Sequence, residues 1–154
     1  MIQRIQTLFL IGVIILMGLS MVFGHWFGAN DSTSLRIFSF FAIQSSGPDN
    51  SQILYPYTWI GIFGSLSILV AVIEIFLFKN RLLQMKLGLL NSLLIGLCVG
   101  SSLFLVWRAQ NDLGAYGSYE YGVFFPLAAI ILNRFATRFI KKDEDLIRSV
   151  DRIR

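Results

Sequence analysis

Glu74 is an acidic side chain inside a long apolar run, Tyr57 to Phe78. An ionisable group in such a run is costly to hold, and its default chemistry is a proton or ion relay. Its neighbours follow from a hairpin argument. Trp59 and Trp107 mark like ends of two consecutive apolar runs, so reflecting Glu74 through the turn midway between them leads to Asn91. In the last run Arg134 lies at a similar depth, just after Asn133. The expected cluster is Glu74, Asn91 and Arg134, with Gln6 close by. Glu74 is only about five residues, roughly 7.5 Å, from the membrane edge. That shallow depth favours a structural cross-link to Arg134, or snorkelling toward Lys79, over a relay.

Gly88, Ser92, Gly96 and Gly100 recur at i+4 spacing. Small residues on one helix face let another backbone approach closely. Packing inside the chain's own bundle is the favoured expectation over a homodimer or partner face, and a homo-oligomer stays open. His25 is the single histidine. With no carboxylate near it in sequence, it reads as an interfacial polar residue and not a metal ligand. Cys98 is the single cysteine, which excludes an intramolecular disulfide and any multi-cysteine metal site. The sequence contains no phosphate-binding GxxxxGK[ST], no HExxH and no GxSxG. No catalytic residue, metal or cofactor is expected.

After Ile140 the chain becomes strongly charged with both signs. Leu146, Val150 and Ile153 recur at helical spacing, and Glu144 stands four before Arg148, the favourable order for a helical ion pair. The expectation is a helix that leaves the bilayer and presents Lys142, Asp143, Glu144, Leu146, Arg148, Val150, Asp151, Arg152 and Arg154 as a docking surface for a protein complex. The four acidic residues of this tail, Asp143, Glu144, Asp145 and Asp151, disfavour direct nucleic-acid binding and a position flat on an anionic leaflet.

Composition explains what holds these groups. The chain has 154 residues, of which 55% are hydrophobic and 14% charged. A soluble domain is about 45–50% apolar and about 25% charged. The excess is gathered into four runs, expected as membrane spans over about 5–27, 57–78, 87–107 and 120–140, each near the length a helix needs to cross a bilayer. Pro126 falls in the fourth and is expected to kink it. The first run starts after Arg4, but it is long for a signal peptide and no A-x-A site follows, so it is expected to be retained.

Charge sets the orientation. Of 13 basic residues, only Arg36 and Arg108 fall on the side of the first and third connections. The positive-inside rule then places both termini in the cytoplasm. Trp26, Trp59 and Trp107, with Tyr116, Tyr119 and Tyr121, are expected to form the aromatic belt of the outer face. The outer loop, 28–56, is expected to form a short β-hairpin, one strand over 35–44 and the other over 53–57, with 45–50 as the turn. An interfacial segment is the competing form. The fold class is thus an all-α membrane protein, one four-helix bundle with its fourth helix extended as a tail over 141–154.

The segments Met1-Ile2-Gln3-Arg4-Ile5-Gln6-Thr7 and Lys142-Asp143-Glu144-Asp145-Leu146-Ile147-Arg148-Ser149-Val150-Asp151-Arg152-Ile153-Arg154 resemble the domain-of-unknown-function 4293 family. The resemblance implies a small four-span protein of the inner membrane of Bacteroidota, with no established activity to carry over. It spans the whole chain in length and span order, with specific residues at the two ends. Together these observations lead to the expectation of a non-enzymatic inner-membrane anchor or accessory subunit, surrounded by membrane lipid, whose tail docks a cytosolic or membrane protein complex. A small proton-coupled carrier using Glu74 is the alternative, and a structural protein acting through its outer loop is a third.

Overall fold

In a computed structural model of the chain, residues 2–46, 50–54, 57–78, 80–114 and 116–151 are described. Four helices dominate: α1 (Ile2–Val22), α2 (Thr58–Phe76), α3 (Arg81–Leu113) and α4 (Tyr121–Asp151). Each contains a stretch long and apolar enough to cross a membrane. Their rises are about 31, 28, 50 and 46 Å, set against a hydrocarbon core of about 30 Å. α1 packs on α2 and α4, and α3 packs on α2 and α4, so the four close into a ring. Val13 and Met17 of α1, Ala71 of α2, Ile95 of α3 and Ala129 of α4 belong to one core cluster, all fully buried. The outward faces are equally apolar. Leu8, Leu69, Leu93, Phe104, Phe124 and Ile131 are exposed, the arrangement expected of side chains that face lipid.

The all-α expectation is corrected at the end of the bundle opposite the tail. There a five-stranded antiparallel sheet, ordered β4-β3-β2-β1-β5, caps the helices. Its strands are β1 (Trp26–Ala29), β2 (Ser34–Ile37), β3 (Ala42–Ser45), β4 (Ser51–Leu54) and β5 (Tyr116–Tyr119). The single strand expected over 35–44 is divided because the Phe38 N–H donates to the Phe41 carbonyl at 2.8 Å, closing a turn. The β3–β4 hairpin lies close to the expected one, and Gly47, Pro48 and Asp49 of its turn lie outside the described residues. α1 stops at Val22, short of the expected 27, because Trp26 to Ala29 pair on one side with β2 and on the other with β5.

Trp26 therefore leaves the aromatic belt. It is fully buried, whereas Trp59 and Trp107 are 57% and 60% exposed. Two glycines make room for its indole. Gly28 and Gly117 are register partners across β1 and β5. A Cβ on Gly28 or Gly117 would overlap the Trp26 ring, so the ring lies in the slot these two residues leave open.

The helix ends are chemically marked. The Asn80 side chain accepts the Leu83 N–H at 3.2 Å and caps α3, and Gly114, at φ 57°, ends it in the left-handed conformation that glycine adopts without strain. Pro126 lies inside α4 and has no N–H to give the carbonyl four residues back, Gly122. The Ser20 hydroxyl of α1 donates to that carbonyl instead, at 2.8 Å.

Candidate functional site

The polar groups between the helices at the tail end are held by α2, α3 and α4. The Ser67 hydroxyl donates to Asn91 Oδ1 at 2.6 Å, and Asn91 Nδ2 approaches Asn133 Oδ1 at 3.5 Å. Asn133 Nδ2 donates to the Gly88 carbonyl at 2.8 Å and to Ser92 Oγ at 2.9 Å. Buried amides linked in this way satisfy one another without water. Glu74 lies beside them and is fully buried. Neither of its carboxyl oxygens has a hydrogen-bond partner. A Cβ placed on Gly88 would lie 3.2 Å from Glu74 Oε1 and 2.6 Å from Thr137 Oγ1, so glycine is what lets both groups crowd over α3. Gln84 Nε2 donates to the Glu74 carbonyl at 3.1 Å and fastens the start of α3 to the end of α2.

Arg134 does not join this layer. Asn133 is fully buried, while Arg134 is exposed. Successive residues on a helix are turned by about 100°, and the inward phase belongs to Asn133. Lys79 lies outside the described residues. Gln6 is also elsewhere. It lies below the layer, toward the tail, where its Nε2 donates to Asp143 Oδ2 at 2.9 Å in a buried contact.

The small-residue stripe of α3 divides. Gly88 is buried and Ser92 partly buried against α4, whereas Gly96 and Gly100 are exposed, with no atom within 4 Å of an added Cβ. Four residues turn a helix about 40° past one full turn. Three such steps rotate the stripe by about 120°, so these positions do not share one face.

The tail continues α4 without a break to Asp151. Lys142, Asp145 and Leu146 are exposed and Glu144 is partly buried. Asp143 is removed from the expected docking surface, because it is 7% exposed and turned toward Gln6. Arg148, Val150 and Asp151 are placed by their backbone on α4; Arg152 and Arg154 lie outside the described residues.

A second buried network, at the sheet end, has no counterpart in the sequence expectations. His25 is fully buried. Its Nε2 lies 3.0 Å from Ser39 Oγ and its Nδ1 3.1 Å from Ser102 Oγ, while Ser39 Oγ donates to the Ser20 carbonyl at 3.1 Å. One imidazole thus joins the end of α1, the β2–β3 turn and α3. Burial pushes the His25 pKa down to about 4, opposed by a smaller contribution from the Ser20 backbone. Nearby, Arg36 of β2 bonds both carboxylate oxygens of Glu120, at 2.8 and 3.1 Å, and ties the sheet to the start of α4. The serines of the His25 network come from separate elements, so no fixed spacing announces them. Among the described residues no group of three His, Cys, Asp or Glu is arranged to hold a metal ion.

Residues 2–153 match the model of a family described as a domain of unknown function (DUF4293). The chain belongs to that family. The DUF4293 match takes in all four helices, the sheet, the Glu74 layer and the Gln6–Asp143 contact, so none of these lies in an appended segment. No curated protein matches the chain.

Proposed function

We propose that this DUF4293 chain is a non-enzymatic, multi-pass anchor or accessory subunit of the bacterial inner membrane, in keeping with the Bacteroidota origin that the resemblance implies. In this reading both termini are cytoplasmic and the tail of α4 docks a protein complex. The observation that carries it is the length of α4. Its 31 residues rise about 46 Å, some 16 Å more than the bilayer core requires. The Gln6–Asp143 contact braces the base of that projection against α1. The concentration of basic residues at the tail end supports the cytoplasmic assignment. Mixed charge around the exposed Leu146 suits a protein partner better than a lipid surface or nucleic acid.

A photo-crosslinker at Ser149 tests this in intact cells. The expected result is a defined protein adduct that is lost when Leu146→Asp is introduced. Adducts that are unchanged by Leu146→Asp overturn the docking reading.

A proton-coupled carrier is the second reading, supported by one observation: the Glu74 carboxyl is buried without a hydrogen-bond partner. In proteoliposomes carrying a pH-sensitive dye, Glu74→Gln would abolish flux if this reading holds. Equal rates in both proteins reject it.

A further inference from the structure

Arg134, Arg138 and Lys141 lie at i, i+4 and i+7 of α4, and all three are exposed. They line a groove of about 440 Å³ whose other walls include Ile130, Ile131 and Phe135. Ile131 and Phe135 are 57% and 41% exposed; the groove is apolar at its sheet end, Ile130 and Ile131, and cationic at its tail end, Arg138 and Lys141, with Arg134 and Phe135 adjacent between them. Its depth in the bilayer can be read from α3. Thr137, between the two arginines, packs on Gly88. Gly88 lies about 28 Å along α3 from Trp107, which is exposed and of a residue type that favours the membrane interface. A bilayer core is about 30 Å thick, so the groove straddles the tail-end boundary between acyl chains and headgroups.

Among the described residues, neither of the ion pairs Arg36–Glu120 and Arg108–Asp112 involves these cations, and both lie on the sheet side. Asp143 is turned inward to Gln6. Glu144 is partly buried, and Asp145 stands a turn beyond Lys141, farther from the bilayer. Arg134 is about 10 Å closer to the membrane centre than Lys141, where water is scarce and an unpaired charge is costly.

We propose that this groove is a binding site for an anionic phospholipid. The phosphate accepts hydrogen bonds from the arginines, whose planar forks suit phosphate oxygens. Lys141 adds charge on the aqueous side, and one acyl chain lies along Ile130, Ile131 and Phe135. Charge complementarity and the split of the groove at headgroup depth both point to a lipid rather than to a soluble anion. The site is independent of what the tail docks.

Native mass spectrometry tests it on the full chain, released from nanodiscs containing equal parts phosphatidylglycerol and phosphatidylcholine. The expected result is at least about tenfold enrichment of phosphatidylglycerol among retained lipids. R134Q/R138Q/K141Q brings this to near parity, while K86Q, an exposed basic position outside the groove, leaves it unchanged. Should the triple variant fail to fold, R138Q is compared with K86Q in its place, with enrichment reduced only in R138Q. Parity in the unaltered protein, or enrichment that survives neutralisation of the groove, overturns the proposal. Displacement of the lipid by millimolar inorganic phosphate overturns it too, because it assigns the groove to a soluble anion.

Discussion

His25 and Glu74 are both buried ionisable groups, and they differ in how their surroundings satisfy them. Each ring nitrogen of His25 has a serine hydroxyl within hydrogen-bond distance, and burial depresses its pKa to about 4 from an ordinary 6.5. The unfolded chain therefore binds a proton that the folded chain refuses in this window. Stability is full above pH 6.5, falls as pH drops toward about 4, and loses up to about 3 kcal/mol over that interval. Thermal unfolding of the protein in detergent at pH 7.5 and pH 5 checks this, with a His25→Gln variant expected to be less stable at pH 7.5 and less pH-sensitive. Glu74 has no such partners. Replacing a buried, unpaired carboxyl by a hydrophobe of similar volume is commonly neutral or stabilising. Glu74→Leu is thus expected to match or exceed the thermal stability of the unaltered protein, and a loss of more than about 2 kcal/mol would show a partner that the geometry lacks. The hairpin reflection puts Asn91 level with Glu74, whereas Asn91 meets Ser67 and Glu74 meets Gln84 and Gly88, because Trp59 and Trp107 do not stand at equal distances from the turn. It does not distinguish Asn133 from Arg134, because one residue of helical phase is below the resolution of a depth argument.

The helices announce themselves in apolar runs of bilayer length, and their ends do not. α1 stops at Val22 although Trp26 and Phe27 extend the run, because buried strands and membrane helices draw on the same residues. The sheet was legible only at its β3–β4 hairpin, where a turn-rich segment separates the strands. β5 is separated from β1 by two full spans, a pairing no local pattern carries. The missing donor at Pro126 was legible in the sequence, but the Ser20 hydroxyl that serves the freed Gly122 carbonyl was not. That bond makes a specific coupling between elements. Ser20→Ala is expected to cost about 1 kcal/mol, as one interhelical hydrogen bond in a membrane does. In a Pro126→Ala background the restored N–H can serve Gly122, so the same change should cost markedly less. A double-mutant cycle on unfolding in mild detergent measures the difference, and additive costs would mean that the serine is not compensating for the proline.

At the scale of the molecule, the early turns of α1 and the late turns of α4 meet at one end of the bundle, and Gln6–Asp143 is a buried polar contact that joins them. Sequence pattern places both residues near that end but assigns Gln6 to the Glu74 cluster and Asp143 to the tail surface. A lone glutamine on a span and one acidic residue in a charged run carry no mark of their pairing. The consequence is mechanical. Without the contact, α4 beyond Ile140 has no buried polar tie to α1 among the described hydrogen bonds, and its charged end should separate from the bundle more often. Gln6→Ala and Asp143→Ala are each expected to expose the tail, and the double variant should add little, because both remove the same bond. Limited trypsin digestion of the protein in nanodiscs reads this out at Lys141, Lys142 and Arg148. The expected outcome is a severalfold faster cut at Lys142 in either single variant, with the protected core of the bundle unchanged. If Asp143→Ala speeds cleavage and Gln6→Ala does not, the aspartate acts through another group. If neither does, the tail is held by its own helix and the contact is incidental.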